Sequence, residues 1–194
     1  MLPKIIYTTW VSPNPYPDKF QPFLDGWKKI MPDYEVSVIS LSNVIKSDFV
    51  QKAISIGKYA LAGHYGRCER LYKTGGLYFD IDVEAVKSFD DLLDNTIFLG
   101  REDDKVINNA VIGCEAGHPF MKACLDYMDK IDLNTPNIEL ETGPWMFTRL
   151  LNEGNYNVKI YPEEYFYPYH YSQSFYPECI KENTHAVHHW AHTW

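Results

Sequence analysis

The sequence predicts an α/β fold with a central sheet flanked by helices, and three observations carry the prediction. The first forty residues read strand, helix, strand. Short β-branched or apolar runs then keep alternating with segments of helical periodicity, the pattern of an α/β sheet rather than of a bundle or a sandwich. At 194 residues, with 45% apolar and 15% aromatic side chains, the chain can build one sizeable core, and nothing in its length asks for a second. We expect one domain over residues 1–194.

"KIIYTTW", Lys4 to Trp10, is β-branched and aromatic and stops at the proline-rich "VSPNPYP", which cannot continue a strand. Phe20, Phe23, Leu24, Trp27 and Ile30 fall on one face of a helix. In "PDYEVSVIS", Tyr34, Val36 and Val38 alternate with polar residues as in a strand. The stretch from Ser42 to Gly76 reads as helical segments, with Ser42 or Asn43 as the first cap and Gly57 and Gly63 as weak points. Tyr65, Cys68, Leu71 and Tyr72 share a face, and Gly75-Gly76 ends the run. "LYFDIDV", "TIFLGRE" and "VINNAVIGCE" read as strands, "HPFMKACLDYMDKI" and "PWMFTRLLNEG" as helices, and "YNVKIYPEEYFYPY" as a strand entering an aromatic loop.

Composition narrows the function. A net charge of −8, with Lys28-Lys29 the one modest basic cluster, argues against nucleic acid or an anionic surface as partner. Four widely spaced cysteines form no C-x-x-C pair, so neither a zinc knuckle nor a dithiol redox site is written here. "MLPKIIYTTW" lacks the apolar core of a signal peptide, and no run approaches a spanning helix, so the expected location is cytoplasmic.

The chemistry concentrates in "GGLYFDIDVEAV", where Asp80 and Asp82 stand at the end of an apolar run. Ionised carboxylates at the end of a core strand need a cation or donors against them. In an open α/β sheet, ligands gather at the carboxyl ends of strands, and alternation along a strand would put both carboxylates on one side. A divalent ion held there by hard oxygens would keep positions open for a diphosphate. An edge loop with two solvated acids is the competing reading of the same two residues.

The longer stretch "KYALAGHYGRCERLYKTGGLYFDIDVEAVKSFDDLL" resembles the central motif of the family 32 glycosyltransferases, the DXD sugar transferases that include bacterial capsule and lipopolysaccharide enzymes. "LPKIIYTTW", "INNAVIGCEAGHPF", "TGPWMFTRLL" and "HHWAHTW" resemble further blocks of that family. The resemblance implies a GT-A fold with a mixed central sheet. It also implies metal-dependent, retaining transfer of a hexose from a UDP- or GDP-linked donor to a glycan or lipid-linked acceptor in surface polysaccharide synthesis. The implied cofactor is Mn²⁺ or Mg²⁺, held by Asp80, Asp82 and a C-terminal side chain, for which His189 is favoured over His188. Arg67 would face the donor, unless it pairs with Glu69 or Glu102. Trp10 would stack on the base, unless it is core, with Tyr59 lining the same pocket. Asn108, Asn109, Thr142 and Gly143 would meet the sugar or acceptor, unless they are turns or caps, and Trp194 would contact the diphosphate.

Departures from the family pattern qualify this. Gly63-His64 stands where the family usually has Ser-Asp, Tyr7 replaces a common His, and "VSPNP" replaces glycines. His64 is expected to donate to ribose or base. The alternatives are a nucleotide- or sugar-binding protein that has lost catalysis, or a metal hydrolase using the C-terminal histidines. The aromatic loop Tyr161 to Pro177 would form acceptor-side stacking surface or a lid against a membrane, unless Tyr167 and Tyr169 are core.

Overall fold

The β-branched opening run becomes β1 (Ile5–Trp10), whose four central residues are all buried, as a strand covered on both faces must be. The computed structural model describes residues 1–191. After a 3-10 turn, α1 (Gln21–Ile30) turns Leu24 and Trp27 inward, and β2 (Glu35–Ser40) returns parallel to β1. The buried Trp27 indole stays satisfied by donating to the Val83 carbonyl at 2.8 Å.

The next helix starts later than expected. Ser47 caps α2 (Asp48–Ser55), its hydroxyl accepting from the Val50 N–H. Ser42 and Asn43 instead lie in the turn after β2, where the Asn43 side chain accepts from the Ser40 N–H at 2.8 Å. α3 (Tyr59–Thr74) runs without a break through Gly63 and is buried on almost every side in its middle turns. Gly66 has a reason to be there: a Cβ on it would come within 3.1 Å of Val44 and 3.2 Å of Ile39. Gly75, at φ 67°, ends the helix.

β3 (Gly76–Phe79) is shorter than the apolar run, for the chain leaves the sheet at Asp80 and enters β4 (Val83–Ala85) elsewhere. β5 (Ile97–Arg101) and β6 (Ile107–Cys114) follow, with Gly113 leaving room for the Phe98 ring. Then come α4 (Pro119–Met128), α5 (Ile138–Glu141), α6 (Pro144–Glu153), β7 (Lys159–Tyr161) and β8 (Ala186–His188). The sheet order is β2-β1-β3-β6-β5-β7, with β6 antiparallel to both neighbours and the other pairs parallel, so the sheet is mixed as expected. β4 and β8 form a separate antiparallel pair.

Apolar layers cover both faces. One gathers Leu61, Cys68, Leu71, Phe120 and Phe147 under the long helices, and the other gathers Trp27, Phe79, Phe89, Phe98 and Phe166. All four cysteines are buried free thiols.

Candidate functional site

Asp80 is still tied to the sheet by its N–H, which donates to the Ala110 carbonyl at 2.8 Å. Beyond it the chain turns, with the Val83 N–H donating to the Asp80 carbonyl at 3.0 Å. The two carboxylates therefore converge through a turn, not through strand alternation. The third arm comes from β8, which pairs with β4 so that His188 stands opposite Val83. Its Nε2 lies 3.2 Å from Asp82 Oδ1. Ligand atoms of Asp80, Asp82 and His188 all lie within 4.8 Å of one another.

His189, the favoured histidine, faces the other way. Its Nε2 lies 2.8 Å from Glu84 Oε2 and its ring stacks over Phe23, as alternation along a strand requires of a residue next to His188. Its backbone still serves the turn, donating to the Asp82 carbonyl at 3.0 Å, and the Ala191 N–H donates to Asp82 Oδ2 at 2.7 Å.

Burial alone would push the His188 imidazole down, but the Asp82 carboxylate, with Asp80 and Glu102 behind it, lifts it above its ordinary value. Burial likewise works to raise Asp82, yet His188 and the Ala191 N–H hold it below the usual carboxylate range.

Arg67 reaches the same turn from α3. Its Nη1 donates to the Asn109 carbonyl at 3.0 Å and lies 3.4 Å from Asp80 Oδ1, and its guanidinium lies over the Tyr78 ring. Neither alternative partner holds it: Glu69 pairs with Lys73 at 2.6 Å, and Glu102 accepts from Asn108 at 2.7 Å. The Tyr78 hydroxyl donates to Asp80 Oδ1 at 2.6 Å and meets the Thr9 hydroxyl at 2.9 Å. Arg67 Nε, Asn109 Nδ2 and His188 Nδ1 are buried without a hydrogen-bond partner. Three orphaned polar atoms around one turn are costly unless a ligand meets them.

His64 differs from the expectation. The Thr142 hydroxyl gives its proton to the Ile138 carbonyl at 2.8 Å, so at 2.9 Å from His64 Nδ1 it accepts. His64 therefore donates inward to Thr142 and leaves Nε2 as an acceptor. Burial, with Arg67 adding, holds its pKa well below the ordinary value and the ring neutral.

A cavity of about 480 Å³ opens over this cluster. His64, Arg67, Asp80, Asp82, Asn109 and His188 line its buried part, and Trp145 and Tyr171 stand exposed at its edge. Trp190, whose φ of 52° is uncommon for a bulky residue, also lines it. Other expected site residues are not in its wall. Trp10 is at the end of β1, donating to the Asn14 and Pro15 carbonyls at 2.9 Å each. Tyr59 is half-buried at the start of α3. Thr142 and Gly143 stand one layer back, supporting His64 and the start of α6. Trp194 lies outside the described residues. Tyr167 and Tyr169 are core: both are buried, and the Tyr167 hydroxyl accepts from the Val111 N–H at 3.0 Å.

Sequence reasoning missed Tyr78 and Trp145, named Glu102 only as an alternative partner of Arg67, and included Tyr171 only within the aromatic loop expected to form acceptor-side stacking surface. Tyr78 was findable, because it stands two residues before Asp80 at the end of the same strand. Trp145 lies inside the block "TGPWMFTRLL" with nothing local to mark it as exposed, and nothing local separates Tyr171 from the buried Tyr167 and Tyr169 of the same loop.

Residues 17–99, which contain both aspartates, match the model of the glycosyltransferase sugar-binding region containing the DXD motif. The chain is glycosyltransferase-like. Over 126 residues it is 31% identical to inositol phosphoceramide mannosyltransferase 3 of Schizosaccharomyces pombe, a match covering 62% of this chain and 35% of that protein. The chain thus spans about a third of the length of this curated relative. Among solved structures it is similar to the PaToxG glycosyltransferase, with a TM-score of 0.67 at 22% identity over 78% of this chain and 69% of that one. It is also similar to a glycosyltransferase involved in glycosylating the major capsid of PBCV-1, with a TM-score of 0.57 at 15% identity over 96% and 93% of the two chains. The fold is GT-A. No helix among the described residues is long and apolar enough to cross a membrane.

Proposed function

We propose that this chain transfers a sugar from a nucleotide-linked donor to a glycan or lipid-linked acceptor, with Asp80, Asp82 and His188 holding a divalent ion. The observation that carries the reading is the meeting of these three groups under a cavity whose buried wall also holds orphaned donors on Arg67 and Asn109. The residues fit an ion: two carboxylates supply hard oxygens, and the imidazole, with an unpartnered Nδ1, makes the set softer than all-oxygen and favours Mn²⁺ over Mg²⁺. When bound, the ion would neutralise charge on the departing diphosphate. Arg67 would bind donor oxygens through its free Nε, held rigid by the Asn109 carbonyl and the Tyr78 ring. Asn109 Nδ2 would donate to a sugar hydroxyl. Neutral His64 would accept from another through Nε2, and the walls would exclude water around them.

A UDP or GDP donor, retention of the anomeric configuration and a role in surface polysaccharide synthesis at the inner face of a membrane belong to the same proposal and rest on the family resemblance. Calorimetric titration of UDP, then GDP, with and without Mn²⁺ tests the core of it. One nucleotide should bind only with metal, and Asp82→Ala should abolish that binding. If neither binds under either condition, the donor site is refuted. A second reading, binding without turnover, is favoured by His64 standing where the resembled family has a carboxylate. Metal-dependent nucleotide binding with neither transfer nor hydrolysis of any donor sugar would select it.

A further inference from the structure

The cavity has a buried end and an exposed rim, and the two differ in chemistry. At the rim, Trp145 is 40% exposed, Leu140 39% and Tyr171 53%, three apolar surfaces around one opening. Exposed aromatics of this size at a cavity edge are uncommon unless something covers them. The polar groups beside them are carboxylates: Glu102, Asp103 and Glu139. Two are fixed in place, Glu102 by the Asn108 amide at 2.7 Å and Asp103 by the N–H groups of Lys105 and Val106 at 2.7 and 2.8 Å. Arg67, the one arginine of the cavity wall among the described residues, is 2% exposed and belongs to the buried end, as do the orphaned Asn109 and His188 atoms.

We infer that this rim is the acceptor subsite and takes the neutral sugar ring of a glycan, not a phosphate-bearing headgroup. A pyranose has a flat C–H face that can lie on Trp145 or Tyr171 and a ring of hydroxyls that can donate to carboxylates. A phosphate at the same place would meet three acidic side chains, and among the described residues that line this cavity no lysine or arginine stands at the rim to balance them, which repels it. The inference rests on the sugar-transfer reading for its orientation, since the buried end then holds the donor.

The test uses the full chain with Mn²⁺ and saturating UDP or GDP. Saturation-transfer NMR would follow methyl mannoside, methyl glucoside and methyl galactoside, with mannose 6-phosphate as the charged competitor. At least one methyl hexoside should bind at millimolar concentration and mannose 6-phosphate at least tenfold more weakly. Trp145→Ala, at an exposed position, should weaken the hexoside about tenfold or more while nucleotide affinity moves less than twofold. Glu139→Lys, also exposed, should narrow the gap between neutral and phosphorylated sugar. The inference is overturned if no methyl hexoside binds, if mannose 6-phosphate binds as well as the neutral sugars, or if Trp145→Ala changes nothing. Failure of the donor reading would look different: no metal-dependent nucleotide binding, with the Trp145 dependence of hexoside binding still measurable with Mn²⁺ alone.

Discussion

Replacing Tyr78 by Phe removes one oxygen and keeps the ring, so it asks what a single buried hydroxyl does for Asp80. The hydroxyl donates to Asp80 Oδ1 at 2.6 Å, whereas the Arg67 donor stands back at 3.4 Å. A hydrogen bond to a charged group contributes about 1.5–3 kcal/mol. The Thr9 hydroxyl, 1% exposed, loses its partner as well, which adds about 1 kcal/mol. Arg67 keeps a ring beneath it, because Phe also supports a cation–π contact. The expected loss is about 3 kcal/mol, or about 6–12 °C in Tm for a chain of this size. Urea denaturation should show a lower midpoint at unchanged slope. Mn²⁺ affinity should fall about 10–100-fold, because the carboxylate is no longer oriented from behind. Thr9→Val alone should cost less, and the double variant should show a coupling of about 0.5–3 kcal/mol. If Tyr78→Phe leaves both midpoint and Mn²⁺ affinity where they were, Arg67 alone positions Asp80 and the argument fails.

Three further outcomes follow from the same geometry. Gly113→Ala would set a Cβ 2.0 Å from the Phe98 ring and should cost about 1–3 kcal/mol or more by overpacking, read as a lower urea midpoint. His64 has a folded-state pKa below its unfolded value of 6.5, so the unfolded chain takes up the proton first as pH falls. Its contribution to stability is complete above pH 6.5 and is lost below it, at up to about 1.4 kcal/mol per pH unit. His64→Gln should flatten the fall in stability between pH 6.5 and 5 by one proton equivalent, and an unchanged slope would contradict the buried neutral ring. Chelating Mn²⁺ from the loaded protein should speed amide exchange at His189 and Ala191, whose N–H groups bond to Asp82. Equal rates in both states would mean that these residues do not feel the ion.

Where sequence reading succeeded, the signal was local. Period-two and helical spacing are written in neighbouring residues, so β1, α1, β2 and the later alternation were legible, as was the GT-A fold once the motif blocks were set in order. The errors came from information that lies far along the chain. Nothing between Leu77 and Val83 says that the strand stops at Phe79, because the exit is fixed by pairing of β4 with β8, about a hundred residues later. Choosing between His188 and His189 needs the register of that pairing, which decides the side each ring faces. His64 was expected to donate outward, and only the Thr142 hydroxyl, already committed to the Ile138 carbonyl, reverses its polarity. The loop tyrosines split between core and rim for the same reason: Tyr167 and Tyr169 are buried while Tyr171 is exposed, and composition cannot separate them.

His64 and Arg67 ride on one rigid helix, and Gly66 lies between them where that helix comes nearest the Val44 and Ile39 methyls. A glycine inside a helix costs about 1 kcal/mol relative to alanine, so α3 gives up intrinsic stability within its buried middle turns. What it gains is a close approach: the missing methyl lets the turn that carries His64 and Arg67 pack directly against Val44 and Ile39. A methyl restored at Gly66 would touch no ligand, yet Val44 and Ile39 would have to give by a few tenths of an ångström, and whatever part of that movement α3 took up would carry both groups with it, a fault in alignment without any loss of chemistry.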